Sequence, residues 1–174
     1  DFYTIAEKKS NSSINVIVMG AMARDYDMLA EVVRKTPNAN FIICKGNKNI
    51  DSLFIGLRNV KLLGYLSEEA LRSEMASADI SLNVMQDTIG SNVICTSLGM
   101  GLAMLCSDVG SIRDYCDDTN TFFCNNSTEF SNSINILSKD RNLLRTMQQS
   151  AFVSSKRLSI DNYIDDLLKL IGEK

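Results

Sequence analysis

The sequence predicts a doubly wound α/β domain on a parallel six-stranded sheet, closed by C-terminal helices. Three observations predict it. Short apolar runs alternate with segments of helical periodicity, and the runs are apolar throughout instead of at every second residue. After Asn125 only helical patterns remain.

In chain order, INVIVMG (14–20) is a β-branched run ending in glycine, the first strand. RDYDMLAEVVRKTP (24–37) follows, with Met28, Leu29, Val32 and Val33 at helical spacing, Asp25 placed to cap and Pro37 just past the end. ANFIICKG (39–46) is a second strand and NVKLLG (59–64) a short third. SEEALRSEMASA (67–78) opens on Ser67 as N-cap, with Glu68 and Glu69 in the first turn, where the helix dipole favours anions. DISLNV (79–84) is the fourth strand, SNVICTSLGM (91–100) a helix, LAMLCS (102–107) the fifth strand and TFFCN (121–125) the sixth. Gly99 and Gly101 turn the helix tightly into the fifth strand, and small Ser97 and Gly99 let it pack near the sheet. Helices over 127–139, 140–156 and 159–172 complete the chain, and residues 1–12 read as a polar lead-in. With no internal repeat or low-complexity linker, residues 1–174 are read as one domain, long enough to bury a core.

Composition narrows the chemistry. The chain has 45% hydrophobic and 22% charged residues, with no apolar run of membrane-spanning length and no leader pattern, so it reads as soluble. Net charge is −3 and the 18 Lys and Arg are scattered, which argues against nucleic acid as a partner. The five cysteines (Cys44, Cys95, Cys106, Cys116, Cys124) have no C-x-x-C spacing and read as buried, reduced thiols, which places the chain in the cytoplasm and leaves the sequons at Asn11, Asn125 and Asn126 silent. With no histidine, Ser-His-Asp and Cys-His catalysis and His-ligated metals are excluded.

In a doubly wound sheet of order 3-2-1-4-5-6 the ligand crevice opens between strands one and four, at their carboxyl ends. The loops to watch are GAMARD (20–25) and MQDTIGSN (85–92). Gly20 and Gly90 allow close backbone approach, Ser91 and Asn92 cap a helix whose amino end seats a phosphate, and Arg24 offers a bidentate fork to a diphosphate. Each has a plain alternative: a turn glycine, a cap, a solvated charge. No G-x-G-x-x-G follows the first strand and no P-loop is present. DYD (25–27) mimics an acidic metal triplet at a helix start, and RDYCDD (113–118) reads as a solvated helix end.

The segments VMGAMARDYDMLAEVV (18–33), NVKLLGYLSEEALRSEMASADISLNV (59–84), SNVICTSLGMGLAMLCSDVGSIRDYCDD (91–118) and the tail from Leu137 resemble the C-terminal nucleotide-sugar-binding domain of GT-B glycosyltransferases, in particular retaining family 4. The resemblance runs from about residue 14 to 172. It implies a Rossmann-like half of a two-domain enzyme that binds a nucleoside-diphosphate sugar, with no metal or other cofactor. It also implies an N-terminal acceptor-binding domain as partner, through which peripheral membrane contact could arise, and a glycan or lipid-linked acceptor. In that family two glutamates eight positions apart hold the ribose and position the sugar. The matching positions here are Thr96 and Thr88, with Asp87 beside the latter, and none is glutamate. The resemblance implies Tyr65 near the base, Arg24 and more weakly Lys45 at the diphosphate, and the stretch from Asp87 through Thr96 at sugar and ribose. It assigns no catalytic residue. The missing glutamate pair supports a second reading, a degenerate transferase-like domain serving as an interaction or scaffold module. A receiver-type domain is disfavoured, because the acidic cluster expected after its first strand is missing.

Overall fold

The computed structural model describes residues 3–4, 13–88 and 91–172. Six parallel strands, β1 (Asn15–Val18), β2 (Asn40–Cys44), β3 (Val60–Leu63), β4 (Ile80–Asn83), β5 (Ala103–Ser107) and β6 (Thr121–Cys124), form one sheet in the order β3-β2-β1-β4-β5-β6. Helices α1 (Tyr26–Lys35), α2 (Glu68–Ser77), α3 (Asn92–Gly99), α4 (Ile112–Tyr115), α5 (Ser127–Lys139), α6 (Arg141–Arg157) and α7 (Ile160–Ile171) connect and follow the strands. The 3₁₀ turn at Asp51–Phe54 was not anticipated, and α4 is a separate turn of helix where RDYCDD read only as a helix end. Both are single turns, too short to show a periodicity.

The caps follow the sequence. Asp25 accepts from the Met28 amide at 2.9 Å, Ser67 from Ala70 at 3.3 Å and Ser91 from Ile94 at 3.4 Å.

The sheet is packed on both faces, as continuous apolar strands require. Val16, Val18, Phe41, Ile80, Leu82 and Leu105 meet α1 and α5, with Leu29, Val33, Phe130 and Ile134 among the contacts. On the other face Ile17 and Met19 meet Met75 and Met100, while Met104 and Cys106 meet Ile94, Leu98, Ile112 and Ala151.

Four expectations need correction. β3 is only partly buried: it is an edge strand, and Lys61 points out to Glu74 at 2.6 Å. Gly99 does not bring α3 to the sheet; its open side faces the Tyr3 carbonyl, which would lie 3.1 Å from a Cβ there. Ser97 does bring it, by meeting Ser81 of β4 through their hydroxyls at 2.9 Å. The thiols are all free as expected, but Cys44 and Cys95 are only half-buried. RDYCDD is not merely solvated, since Arg113 grips Asp108 through two hydrogen bonds of 2.8 Å and lies 4.0 Å over the Phe123 ring.

Candidate functional site

Strand order reverses between β1 and β4, and the chain leaves both strands at one edge of the sheet. The two loops there are stitched together. Arg24 and Met85 form an antiparallel bridge, the Gln86 amide donates to the Ala23 carbonyl at 2.8 Å, and the Asp25 amide donates to the Val84 carbonyl at 3.1 Å. Ala23 is held at φ +50°, a left-handed conformation that costs a non-glycine residue about 1–2 kcal/mol. That conformation directs Arg24 back over Gly20.

Gly20, at φ +82°, makes the space for this. A Cβ there would stand 2.9 Å from the Arg24 Nη2 and 3.1 Å from the Val93 Cγ2. The guanidinium is therefore packed between the first loop and the amino end of α3. One Nη donates to the Asn83 Oδ1 at 3.3 Å, while Nε is sealed from solvent without an acceptor. No ion pair links Arg24 to a carboxylate among the described residues. Burial pulls its pKa below the usual guanidinium value, although an arginine stays charged at neutral pH.

Asn83 is itself held from beneath, donating to the Ser81 hydroxyl at 3.0 Å, and that hydroxyl meets Ser97. Ser81, Asn83 and Ser97 are completely buried, so a polar chain runs from α3 under the sheet edge to the guanidinium. Sequence reasoning missed it. The signal was two polar residues, Ser81 and Asn83, interrupting an otherwise apolar strand.

Two adjoining cavities open here. The first, about 340 Å³, is lined by Gly20, Arg24, Asp87, Thr88, Ser91 and Asn92. The second, about 330 Å³ and mostly apolar, is lined by residues including Gly20, Tyr65, Leu71, Val93 and Thr96. Gly20, Ala21, Asn92 and Val93 border both. Asn92 and Val93 open α3, and the first amides of a helix have no partner within it. The arrangement therefore presents helix-end donors and a buried cation to one cavity and an apolar recess beside it.

The sequence-predicted residues fall into place unevenly. Gly20, Arg24, Asp87, Thr88, Ser91 and Asn92 converge on the first cavity, and Tyr65 and Thr96 on the second. Tyr65 is 86% exposed. Thr88 borders the cavity but is buried, with its hydroxyl turned onto the Met85 sulfur at 3.3 Å and its amide on Asp87 Oδ1 at 2.7 Å. The Thr96 hydroxyl donates to the Asn92 carbonyl at 2.8 Å, leaving it an acceptor toward the recess. Lys45 is not brought in: its ammonium pairs with Asp51 at 2.9 Å. Gly90 lies outside the described residues.

The loop after β5 braces the site. Ser111 donates to the Thr88 carbonyl through its amide at 2.9 Å and its hydroxyl at 2.8 Å. Gly110, at φ +55°, abuts the Thr88 carbonyl, and a Cβ there would meet Asp87 Oδ1 at 2.5 Å. Among the described residues, no cluster of three or more His, Cys, Asp or Glu is placed to hold a metal, and no helix is long and apolar enough to cross a membrane.

Comparison with known proteins gives a consistent picture. The sequence profile of a family described as "Glycosyl transferases group 1" matches residues 13–140. Comparison with curated protein sequences gave no match. Among solved structures, the C-terminal domain of a glycosyl transferase group 1 family protein, LpcC, from Francisella tularensis is similar at TM-score 0.74 and 12% identity, over 91% of this chain and 97% of that one. HepE from Anabaena, solved with UDP, is similar at TM-score 0.79 and 16% identity, over 94% of this chain and 50% of that one. TarM from S. aureus, solved in a complex that includes UDP, is similar at TM-score 0.75 and 15% identity, over 97% of this chain and 38% of that one. The chain thus spans about half or less of those longer proteins.

Proposed function

Since the chain belongs to the glycosyl transferases group 1 family and has the fold of a GT-B C-terminal domain, we propose that it binds a nucleoside-diphosphate sugar as the donor half of a glycosyltransferase. One observation carries this reading: a buried guanidinium with no carboxylate partner among the described residues lies against the amino end of α3, beside an apolar recess. The diphosphate takes the Arg24 fork and the Asn92 and Val93 amides, which oppose its charge without calling for a metal. The base takes the recess at Tyr65. The ribose lies near Thr96, whose hydroxyl can accept from a ribose hydroxyl, and the sugar extends toward Asp87.

In the transfer, an acceptor hydroxyl oxygen bonds to the anomeric carbon as the bond to the nucleoside diphosphate breaks, and the hydroxyl proton passes to the departing diphosphate, whose growing charge is stabilised by the same donors. The acceptor, a glycan or lipid-linked hydroxyl, belongs to an N-terminal domain. On this division of labour the 174-residue chain binds donor weakly and transfers nothing by itself. Turnover by it alone would refute the division.

A second reading is favoured by one specific feature. Thr88 and Thr96 supply no carboxylate, and the Thr88 hydroxyl is turned away from the crevice. A scaffold domain retaining the fold without the chemistry would look the same there. Titrating uridine, guanosine and adenosine diphosphates while following amide resonances separates the two readings. Saturable shifts at residues 91–96 support donor binding; silence supports the scaffold.

A further inference from the structure

The apolar recess is walled by more than the two crevice loops. Tyr3, from the segment ahead of β1, lines it together with Tyr65, Met19, Leu71 and Val93. Tyr3 is seated there by its surroundings. It packs on the cluster formed by Ile17, Met19, Met75 and Met100. Its carbonyl lies over Gly99, where even a methyl group would approach to 3.1 Å. Gly99 is not at positive φ, so the close approach is what the missing side chain accommodates. The same tyrosine borders another cavity, of about 590 Å³, beside Cys95, Phe152 and Lys156, so Tyr3 stands between two spaces along α3. Burial pushes the Tyr3 phenol up, and Glu68 and Glu69 add in the same direction, so the ring remains neutral across the physiological range.

We propose that Tyr3 is a nucleobase-binding residue, its ring forming a stacking wall of the recess, with base affinity dependent on the Tyr3 carbonyl lying against Gly99. The proposal rests on the donor reading above. A flat, neutral heteroaromatic ring is the part of a nucleoside diphosphate that gains from an aromatic wall, while the diphosphate is held in the neighbouring cavity. Tyr3 therefore acts on the base and not on the phosphates.

The test is calorimetric titration of the full chain with uridine, guanosine and adenosine diphosphates and with inorganic pyrophosphate. Tyr3→Ala should weaken the tightest nucleotide roughly tenfold and leave pyrophosphate within twofold. Tyr3→Phe should hold both within twofold, because the ring and not the hydroxyl makes the wall. Gly99→Ala, whose Cβ would stand 3.1 Å from the Tyr3 carbonyl, should give a smaller nucleotide-selective loss by shifting Tyr3. A nucleotide affinity unchanged in Tyr3→Ala, an equal loss for pyrophosphate, or a matching loss in Tyr3→Phe overturns the proposal while leaving the donor reading intact. Wild-type chain that binds none of the three nucleotides overturns both.

Discussion

Replacing Arg24 by methionine should separate what the site does from what the fold needs. The structure gives the two halves of the comparison. Burial of the guanidinium leaves Nε without an acceptor, and an unsatisfied buried donor costs about 1–3 kcal/mol. Methionine, similar in reach, removes that cost and the buried charge. It also leaves the Asn83 Oδ1 without its 3.3 Å donor, a loss of the same size, while Asn83 Nδ2 keeps Ser81. The two effects offset each other to within about 1 kcal/mol. For a chain of this length that is a shift in Tm of about 2–4 °C in either direction. Binding has no such compensation: hydrogen bonds to a charged group contribute about 1.5–3 kcal/mol, so nucleotide affinity should fall about 10- to 150-fold. Differential scanning calorimetry and titration with the tightest-binding nucleoside diphosphate on the same sample give both numbers. Arg24→Lys should fall between, keeping the charge and losing the fork. A drop in Tm beyond about 10 °C would make Arg24 a structural residue, and unchanged affinity would remove the diphosphate from this cavity.

The remaining predictions concern the frame and its pH limits. Gly110→Ala should destabilise by about 2–4 kcal/mol, because the left-handed φ of +55° is joined by collision with the Thr88 carbonyl, whereas Gly46→Ala, at φ +56° in open space, should cost only about 1–2 kcal/mol; equal losses in chemical denaturation would remove the loop bracing. Cys44 and Cys124 are pushed up by burial to about 11 from an ordinary 9.0, so the neutral thiols favour the fold fully below about pH 9 and that contribution is lost as pH rises toward 11. The double Cys→Ala variant should flatten the Tm profile in that window, and an unaltered profile would mean that these thiols do not carry it. Asp51 and Asp108 are held below the usual carboxylate value by Lys45 and Arg113, so their contribution is present above about pH 4 and lost as pH falls through the depressed value. High salt should blunt this acid limb of the Tm profile, and a salt-insensitive limb would assign it elsewhere. Helix α7 has no buried residue, so its amides should exchange with solvent well before those of β1 and β4, and equal protection would contradict its loose attachment.

Much of the fold was legible because its signals are local. Apolar runs, helical spacing and the caps Asp25, Ser67 and Ser91 act within a few residues, and the observed strand order is that of the doubly wound template used to locate the crevice. The loops carrying Gly20, Arg24 and Asn92 were found the same way, since sheet topology alone locates the crevice. What remained hidden depends on particular side-chain partners, some near in sequence and some far. Lys45 is claimed by Asp51, the Thr88 hydroxyl by Met85, and Gly99 by the Tyr3 carbonyl. No periodicity reports such pairings, because they are decided by how an irregular loop turns, as at Lys45 and Thr88, or by where two separate segments meet, as at Gly99.

The buried chain from Ser97 through Ser81 and Asn83 to Arg24 shows what this costs and what it secures. Apolar residues at Ser81 and Asn83 would join the sheet's core more favourably, yet both positions are polar and completely buried. Their hydrogen bonds tie the orientation of the guanidinium to the position of α3, the helix that also supplies the free amides. Removing the Ser97 hydroxyl by Ser97→Ala should therefore act on both: a stability loss of about 1–3 kcal/mol from the stranded Ser81, and a weaker nucleotide complex although Ser97 lines neither crevice cavity. If Ser97→Ala lowers Tm and leaves affinity unchanged, the polar chain is only part of the packing, and Arg24 holds its place through Gly20 and Val93 alone.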